Sequence, residues 1–289
     1  MIGRPRRQSK ALLPRQVAFA TVCAAGLLLA GCHRGASDPA SAAPDQPASS
    51  LETGYARPPE VNTAGRTSGA VMLSGRSDPN ARIRLSAPDG NAYGATATAV
   101  GTWTLAVPIA ADMREFGLSE VLGDPADANS RNIQGLGYFA VLPASGRPAV
   151  RLRAGGGSEV IGDIEAAPQL TAVDYDSGGG AVVSGLARPG APVRVSVDGA
   201  APVEARPDAR GWFSIALPGM LKPGAHQAVL QSAGGTRQAG FAISPAAPIS
   251  GVPYRGQRMA GGWRIDWLTP GGAAQTTLVL DDPQAGAKP

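Results

Sequence analysis

The chain has 289 residues, of which 39 are Gly and 26 Pro, and it is 43% hydrophobic but only 5% aromatic. Turn formers at that density exclude a long-helix architecture and favour short strands joined by many turns, with some stretches too poor in large apolar side chains to fold. The formal charge of +4 raises nucleic acid or an anionic surface as partners until that charge is located along the chain.

Residues 1–15 carry Arg4, Arg6, Arg7, Lys10 and Arg15 and no acid, and Val17 to Ala30 is apolar or small apart from Thr21. A basic segment followed by so short an apolar run does not comfortably cross a hydrocarbon core of ~30 Å and has the pattern of a signal peptide. Gln8, Ser9 and Lys10 after the Arg pair lack the apolar pair of a twin-arginine signal, which favours general secretion. The run closes on Leu29-Ala30-Gly31-Cys32, which resembles the lipobox of bacterial lipoproteins. That resemblance implies a signal peptide over 1–31, a diacylglyceryl group and palmitate-type acylation on Cys32, and a mature chain anchored in a membrane by its N-terminal lipid. His33 stands where an Asp tends to hold such lipoproteins at the inner membrane, so the resemblance favours the outer membrane, facing the periplasm. Cys23 leaves with the signal and Cys32 is acylated, so no thiol remains for a disulfide or a metal cluster. Five basic residues also leave, while all 22 acids lie beyond Cys32; the mature balance is 21 basic against 22 acidic residues, or −1. The case for nucleic acid falls away with the signal peptide.

Residues 32–68 are rich in Ala, Ser and Pro, with Leu51, Val61 and Tyr55 as the large apolar side chains. Such a stretch buries too little apolar surface to offset its ordering entropy and reads as a disordered tether, reaching up to ~100 Å at ~3 Å per residue.

Beyond it the chain repeats itself at a spacing of 110 residues. Gly69-Ala70-Val71 and Ser74-Gly75 recur as Gly180-Ala181-Val182 and Ser184-Gly185, with a one-residue slip between the pairs. Pro79, Ala81, Ile83, Arg84 and Leu85 recur as Pro189, Ala191, Val193, Arg194 and Val195, and Gly101, Trp103, Leu105 and Val107 as Gly211, Phe213, Ile215 and Leu217. Three separated blocks at one spacing are two copies of one structural unit. Within them apolar residues alternate with polar ones, the period of half-buried strands, and Asp89-Gly90 and Pro189-Gly190 supply turns. A later pair in each copy, Tyr138–Leu142 with Ala149–Leu152 and Gln227–Leu230 with Ala239–Ile243, reads as a closing hairpin. About seven short strands per copy fit a two-sheet antiparallel sandwich.

The copies resemble bacterial immunoglobulin-like repeats, on Val182-Val183-Ser184-Gly185, Pro189-Gly190-Ala191, Val193, Val195 and Gly211-Trp212-Phe213. The first copy departs from that pattern with Asn80 in place of the turn Gly and Thr102 before Trp103. The expected fold is all-β: tandem immunoglobulin-like antiparallel β-sandwiches over 69–154 and 168–247, joined by a Gly-rich linker over 155–167, with a C-terminal β-hairpin over 248–283 and a disordered tail over 284–289. The resemblance speaks to fold; sandwiches of this kind serve as spacers, adhesins and carbohydrate binders alike.

Measured from Pro108, the first copy holds about 22 extra residues, an insertion over 111–134. Its first half, Asp112 to Leu122, predicts a short helix with Met113, Phe116 and Val121 on one side. It offers either a binding surface on the sandwich rim or a plug for the open end. In the C-terminal hairpin Trp263, Ile265 and Trp267 alternate with Arg264 and Asp266. Facing outward, Trp263 and Trp267 would form a stacking platform for sugar rings or prolines; facing inward they are core. A lone hairpin is marginal in water and must dock on the second sandwich or on a partner.

Signals for chemistry are sparse. The mature chain has two His, His33 and His226, so neither a His-based triad nor a His pair at metal spacing is present. The runs Gly155–Gly157 and Gly178–Gly180 lack the Lys-Ser/Thr of a phosphate loop. Asp174 with Asp176, and Asp124 with Asp127 and Asn129, fall short of the ligand count of a calcium loop and read as turn residues. No catalytic residue, metal or cofactor is expected. The favoured expectation is a non-catalytic, lipid-anchored binding or scaffolding module for an envelope protein or glycan, with Cys32 as lipidation site and Trp263, Trp267, Met113 and Phe116 as candidate ligand-binding residues. An accessory factor for export or assembly of a surface structure is the alternative, and an envelope hydrolase a weaker one.

Overall fold

A computed structural model describes residues 56–124, 126–143, 147–162, 168–245 and 248–281. The expected signal peptide, Cys32, the expected tether up to residue 55 and the expected tail from 282 lie outside the described residues. Every regular element described is a strand, and every pairing is antiparallel.

The first copy folds as β1 (Glu60–Arg66), β2 (Ala70–Arg76), β3 (Arg82–Ser86), β4 (Ala92–Thr96), β5 (Thr102–Pro108), β6 (Arg114–Leu122) and β7 (Arg131–Val141). The sheet β1-β2-β5 faces the sheet containing β4-β3-β6-β7. Val71, Leu73, Ile83, Leu85, Trp103 and Leu105 fill the space between, at the alternate positions that period-2 patterning assigns inward. The second copy repeats this strand for strand as β10 (Gln169–Asp176), β11 (Ala181–Leu186), β12 (Val193–Val197), β13 (Val203–Ala205), β14 (Trp212–Ala216), β15 (Gly224–Ser232) and β16 (Gly235–Ile243). These are two immunoglobulin-like sandwiches. The recurring Ser-Gly has a steric cause: a Cβ on Gly75 would lie 2.4 Å from the Trp103 ring, and one on Gly185 2.7 Å from the Phe213 ring. Leu73 pairs with Leu105 and Val183 with Ile215, so the 110-residue spacing runs through the β2/β11 strands without the slip expected from sequence.

Five expectations are corrected. Asp112–Leu122 forms no helix: Arg114–Leu122 is β6, starting 110 residues before its counterpart β15. Phe116 and Leu118 point into the first core while Met113 and Glu115 point the other way. Both faces of this part of the sheet are covered, so no clean alternation survives in the sequence and a helical spacing is easily read into it. The extra residues of the first copy lie instead in the longer β6–β7 loop and in a bulge where Leu118 faces Gly135–Gly137. The closing hairpin of the first copy is therefore β6–β7, and Ala149–Leu152 belongs to an additional strand. The tether ends earlier than 68, because Val61 and Ala64 of β1 are buried in the first core. The linker, finally, is partly sheet.

Each sandwich is widened at one edge. In the first, β8 (Ala149–Leu152) and β9 (Glu159–Ile161) continue the sheet beyond β7. In the second, β17 (Tyr254–Met259), β18 (Gly262–Leu268) and β19 (Ala274–Leu280) continue it beyond β10, in the order β10-β19-β18-β17. The Trp hairpin is thus β18–β19 with a third strand, docked on the second sandwich. The two widened sheets stack face to face. Met113, Ala140, Leu142, Val150, Leu152 and Val160 meet Trp263, Ile265, Trp267 and Val279 in a third apolar core between the sandwiches. Four sheets thus enclose three cores.

Glu115 is sealed in this seam, with its Oε2 lacking a hydrogen-bond partner among the described residues. Burial pushes its carboxyl up to about 8, because the charged form loses its hydration. In the unfolded chain the group ionises near its ordinary value of 4.5. Folding therefore opposes ionisation: the protein is free of this penalty at pH 4, loses stability as pH rises through the interval between 4.5 and about 8, and levels off above it. Thermal denaturation of Glu115→Gln should show a higher Tm than wild type at pH 8, with the difference vanishing near pH 4.

Candidate functional site

At one end of the second sandwich the strands diverge around a cleft of about 380 Å³. Its walls come from three loops. The β10–β11 turn gives Ser177 and Gly179, the β14–β15 loop gives Leu221 and Pro223, and the segment after β16 gives Ser244, Pro245, Pro248 and Ile249. Tyr175, Ile243, Leu268 and Thr276 close the inner side. The lining is mainly aliphatic and proline, a chemistry suited to an apolar or proline-containing segment of a partner.

The rim is set by buried charge. Arg264 on β18 donates from Nε to Asp266 Oδ1 and Oδ2 at 3.0 and 3.1 Å, and from Nη2 to the carbonyls of Ser244 and Pro245, both at 3.1 Å. Its Nη1 also bonds the Ser244 hydroxyl. Thr276 donates to Asp266 Oδ1 at 2.6 Å, and the Tyr175 hydroxyl donates to Ser244 O at 3.0 Å. The guanidinium is suited to this because its fixed fork serves a carboxylate and several carbonyls together. On the opposite wall His226 fixes the β14–β15 loop. Its Nε2 lies 2.7 Å from Lys222 O and its Nδ1 2.6 Å from Asp198 Oδ2. Both ring nitrogens thus face acceptors, an arrangement that favours the imidazolium. Although burial works against it, the hydrogen bonds to Asp198 and Lys222 carry its pKa above the ordinary value. Asp176 closes the β10–β11 turn by accepting the Gly178 and Gly180 amides at 2.8 and 3.2 Å.

The residues singled out in the sequence lie elsewhere. Trp263 and Trp267 are 7% and 0% exposed, so neither presents a ring to a ligand; Trp267 packs edge-on against Tyr138 with centroids 6.1 Å apart. Met113, 4% exposed, joins them in the seam, while Phe116 is fully buried in the first core. These four are structural, and the reason is the widened sheet: residues that would be outward-facing on an isolated hairpin are covered by the other sandwich. Cys32 lies outside the described residues. Asp174 is buried, accepting from the Ser158 amide and hydroxyl and from Thr277, each at 2.6 Å; burial lifts its pKa to about 6 against the pull of these bonds. Asp124 and Asp127 accept backbone amides within their own turns. Among the described residues no group of three or more His, Cys, Asp or Glu is placed to hold a metal ion.

The cleft went unseen in the sequence because Leu221, Pro223, Pro245, Pro248 and Ile249 come from separate turns and share no period. The nearest available signal was their composition: prolines and aliphatics in loops, where polar residues are usual.

No protein-family model matches the chain, and no curated protein matches it. Among solved structures, one similar chain is described as "Biofilm associated protein - BSP domain"; the match is 15% identical, covers 66% of this chain and 30% of that one, and has a TM-score of 0.24. This chain thus spans under a third of that chain's length.

Replacing Arg264 by Met should strand Asp266 without its counter-charge and lower the unfolding free energy by about 3–5 kcal/mol in urea titrations. The double change Arg264→Met/Asp266→Leu should recover most of that loss, because an apolar pair of similar volume carries no desolvation cost.

Proposed function

We propose that the chain is a non-catalytic binding or scaffolding module of the cell envelope, anchored by a lipid on Cys32 and contacting an envelope protein or glycan through the cleft of the second sandwich. The observation that carries the reading is the third core: it joins two domains into one body, as a rigid support for a binding surface requires. Three of the buried carboxylates fit this reading, since Asp174, Asp266 and Glu159 are spent on hydrogen bonds and ion pairs that hold loops. The anchor is supported by Leu29-Ala30-Gly31-Cys32 after a basic and then apolar segment.

Two measurements test it. When the full chain is expressed in a bacterium and fed a clickable palmitate analogue, the wild type should take up label and Cys32→Ser should not; an unlabelled wild type overturns the anchor. A photoreactive side chain at Met220, which is 76% exposed and packs beside Gly179 of the cleft, should give a discrete adduct in envelope membranes. The same group at Val100, 74% exposed on the first sandwich, should not. Equal yields at the two positions would remove the cleft as the contact surface.

A further inference from the structure

The two sandwiches differ at one equivalent edge. Gly117 of β6 pairs with Tyr138, and Gln227 of β15, 110 residues later, pairs with Gly240. By that register Tyr138-Phe139-Ala140-Val141 corresponds to Gly240-Phe241-Ala242-Ile243. In the first sandwich the outer side of this stretch is occupied by β8, with Tyr138 opposite Leu152, Phe139 opposite Arg151, Ala140 opposite Val150 and Val141 opposite Ala149. In the second, β16 is the last strand of its sheet. The fold therefore carries its own demonstration that this edge accepts an antiparallel strand, and one copy of the edge is bare among the described residues.

The bare edge is also unguarded over Ala239–Ile243, with Arg237 of β16 and the following Pro245 lying outside that stretch. Natural edges are blunted by charge, proline or bulges. Ala239 to Ile243 contains none of these, and its pairing with β15 is regular throughout. The two-residue hairpin after Ser232, which pairs with Gly235, makes that pair hydrogen-bonded, so the odd-numbered residues of β16 bond to β15. The even-numbered ones, Gly240 and Ala242 among them, direct N–H and C=O outward. On the solvent face Gly240 and Ala242 carry almost no side chain, while Phe241 and Ile243 point into the second core.

We propose that the Ala239–Ile243 edge of β16 pairs with the same edge of a second copy of this chain, antiparallel and centred on Phe241. In that register Gly240 lies opposite Ala242 of the mate, so the outward amides and carbonyls of both exchange hydrogen bonds. Phe241 meets Phe241, Ala239 meets Ile243, and no charge opposes a charge. The edge strand β17 lacks this self-complementarity, since Arg255 and Arg258 would be brought close to their own copies. Four main-chain bonds make a weak contact by themselves. Anchoring in one membrane plane raises the effective concentration toward the millimolar range, where such a contact is populated.

The proposal goes beyond the anchored-module reading and fails separately from it: a chain can take label at Cys32 and cross-link at Met220 while remaining monomeric. The test is sedimentation equilibrium of the full chain in density-matched detergent, from micromolar to millimolar. Wild type should pass from monomer to dimer. Ala242→Pro removes an outward N–H that β15 does not use, a change that a bare edge tolerates and a paired edge does not; it should weaken dimerisation at least tenfold with Tm unchanged, and Ala242→Ser should dimerise as wild type does. Should the proline variant misfold, Gly240→Asp sets a carboxylate against the mate from a position with room for a Cβ, 3.6 Å from Gln227 Oε1, and should show the same loss. A wild type monomeric across the range overturns the proposal, as does an Ala242→Pro or Gly240→Asp chain that is folded and associates normally. A monomer whose Gly240 and Ala242 amides become protected from hydrogen exchange only when envelope extract is added assigns the edge to a different protein and equally overturns self-pairing.

Discussion

The apolar seam between the sandwiches is the constraint from which the rest of the molecule follows. Two isolated sandwiches joined by a Gly-rich segment would move independently, and a hairpin with two tryptophans would be a liability in water. Stacking the sheet that ends in β8 and β9 on the sheet that ends in β19, β18 and β17 buries both problems at once. Burial on this scale makes unpartnered polar groups costly, and apart from Glu115 Oε2 the polar side chains named at the seam are paired. Trp267 Nε1 donates to Thr277 Oγ1 at 3.1 Å, and that hydroxyl in turn donates to Asp174. Ser158, in the segment between β8 and β9, bonds the same carboxylate, so the connection between sandwiches is held down by the second one. Gly157 lies so close to Ser184 that a Cβ would sit 2.1 Å from its Oγ. Gly157 thus serves close packing where composition alone suggests looseness, while Gly155 supplies a positive φ in open space.

The duplication explains how such a seam arose from two similar units. The seven-strand plan is shared, but the additions sit on opposite edges: beyond β7 in the first copy, and beyond β10, the counterpart of β1, in the second. Glu159 on β9 fastens this arrangement, receiving Arg151 and Arg153 at 2.8 and 3.1 Å from the first sandwich and Arg210 at 2.9 Å from the β13–β14 turn of the second. Arg153 also lies over the Trp212 ring at 4.6 Å. The same asymmetry leaves β16 without the neighbour that β7 has.

What could be read from the sequence, and what could not, divides along these lines. Local periodicity in β2, β3, β5, β12 and β14 is legible because each has one face in a core and the other more open to water, and the 110-residue repeat points to the sandwich fold. The strands with both faces covered are not. Arg114–Leu122 reads as a helix because Met113 and Phe116 lie in different cores, and β18, buried along almost its whole length, shows an alternation that says nothing of which side meets water. Trp263 and Trp267 were correctly placed on a strand and wrongly offered to a ligand, since the surface that covers them belongs to residues more than a hundred positions away. The cleft was invisible for a related reason: contacts that converge from separate turns leave no spacing to detect.

Arginine usage ties the composition to this architecture. Lysine is nearly absent from the chain, with Lys10, Lys222 and Lys288 alone, while arginine is frequent. Several of these arginines serve as joints between distant segments of chain. Arg66 donates from Nη2 to the carbonyls of Leu142, Pro143 and Arg147 at 3.3, 2.6 and 3.1 Å. Arg151 reaches Val61 O at 2.5 Å across ninety residues of sequence, and Arg264 gathers Ser244, Pro245 and Asp266. A planar fork with five donors can satisfy several loop carbonyls in a half-buried place, which a lysine ammonium, compact and strongly hydrated, does poorly. The described residues include no cysteine, and these guanidinium joints tie loops together there. They remain charged while burial draws the pKa of Arg66 and Arg151 below the ordinary value. Part of the positive charge that composition first assigns to an anionic partner is turned inward on the protein's own carbonyls and carboxylates, at Arg66, Arg151 and Arg264.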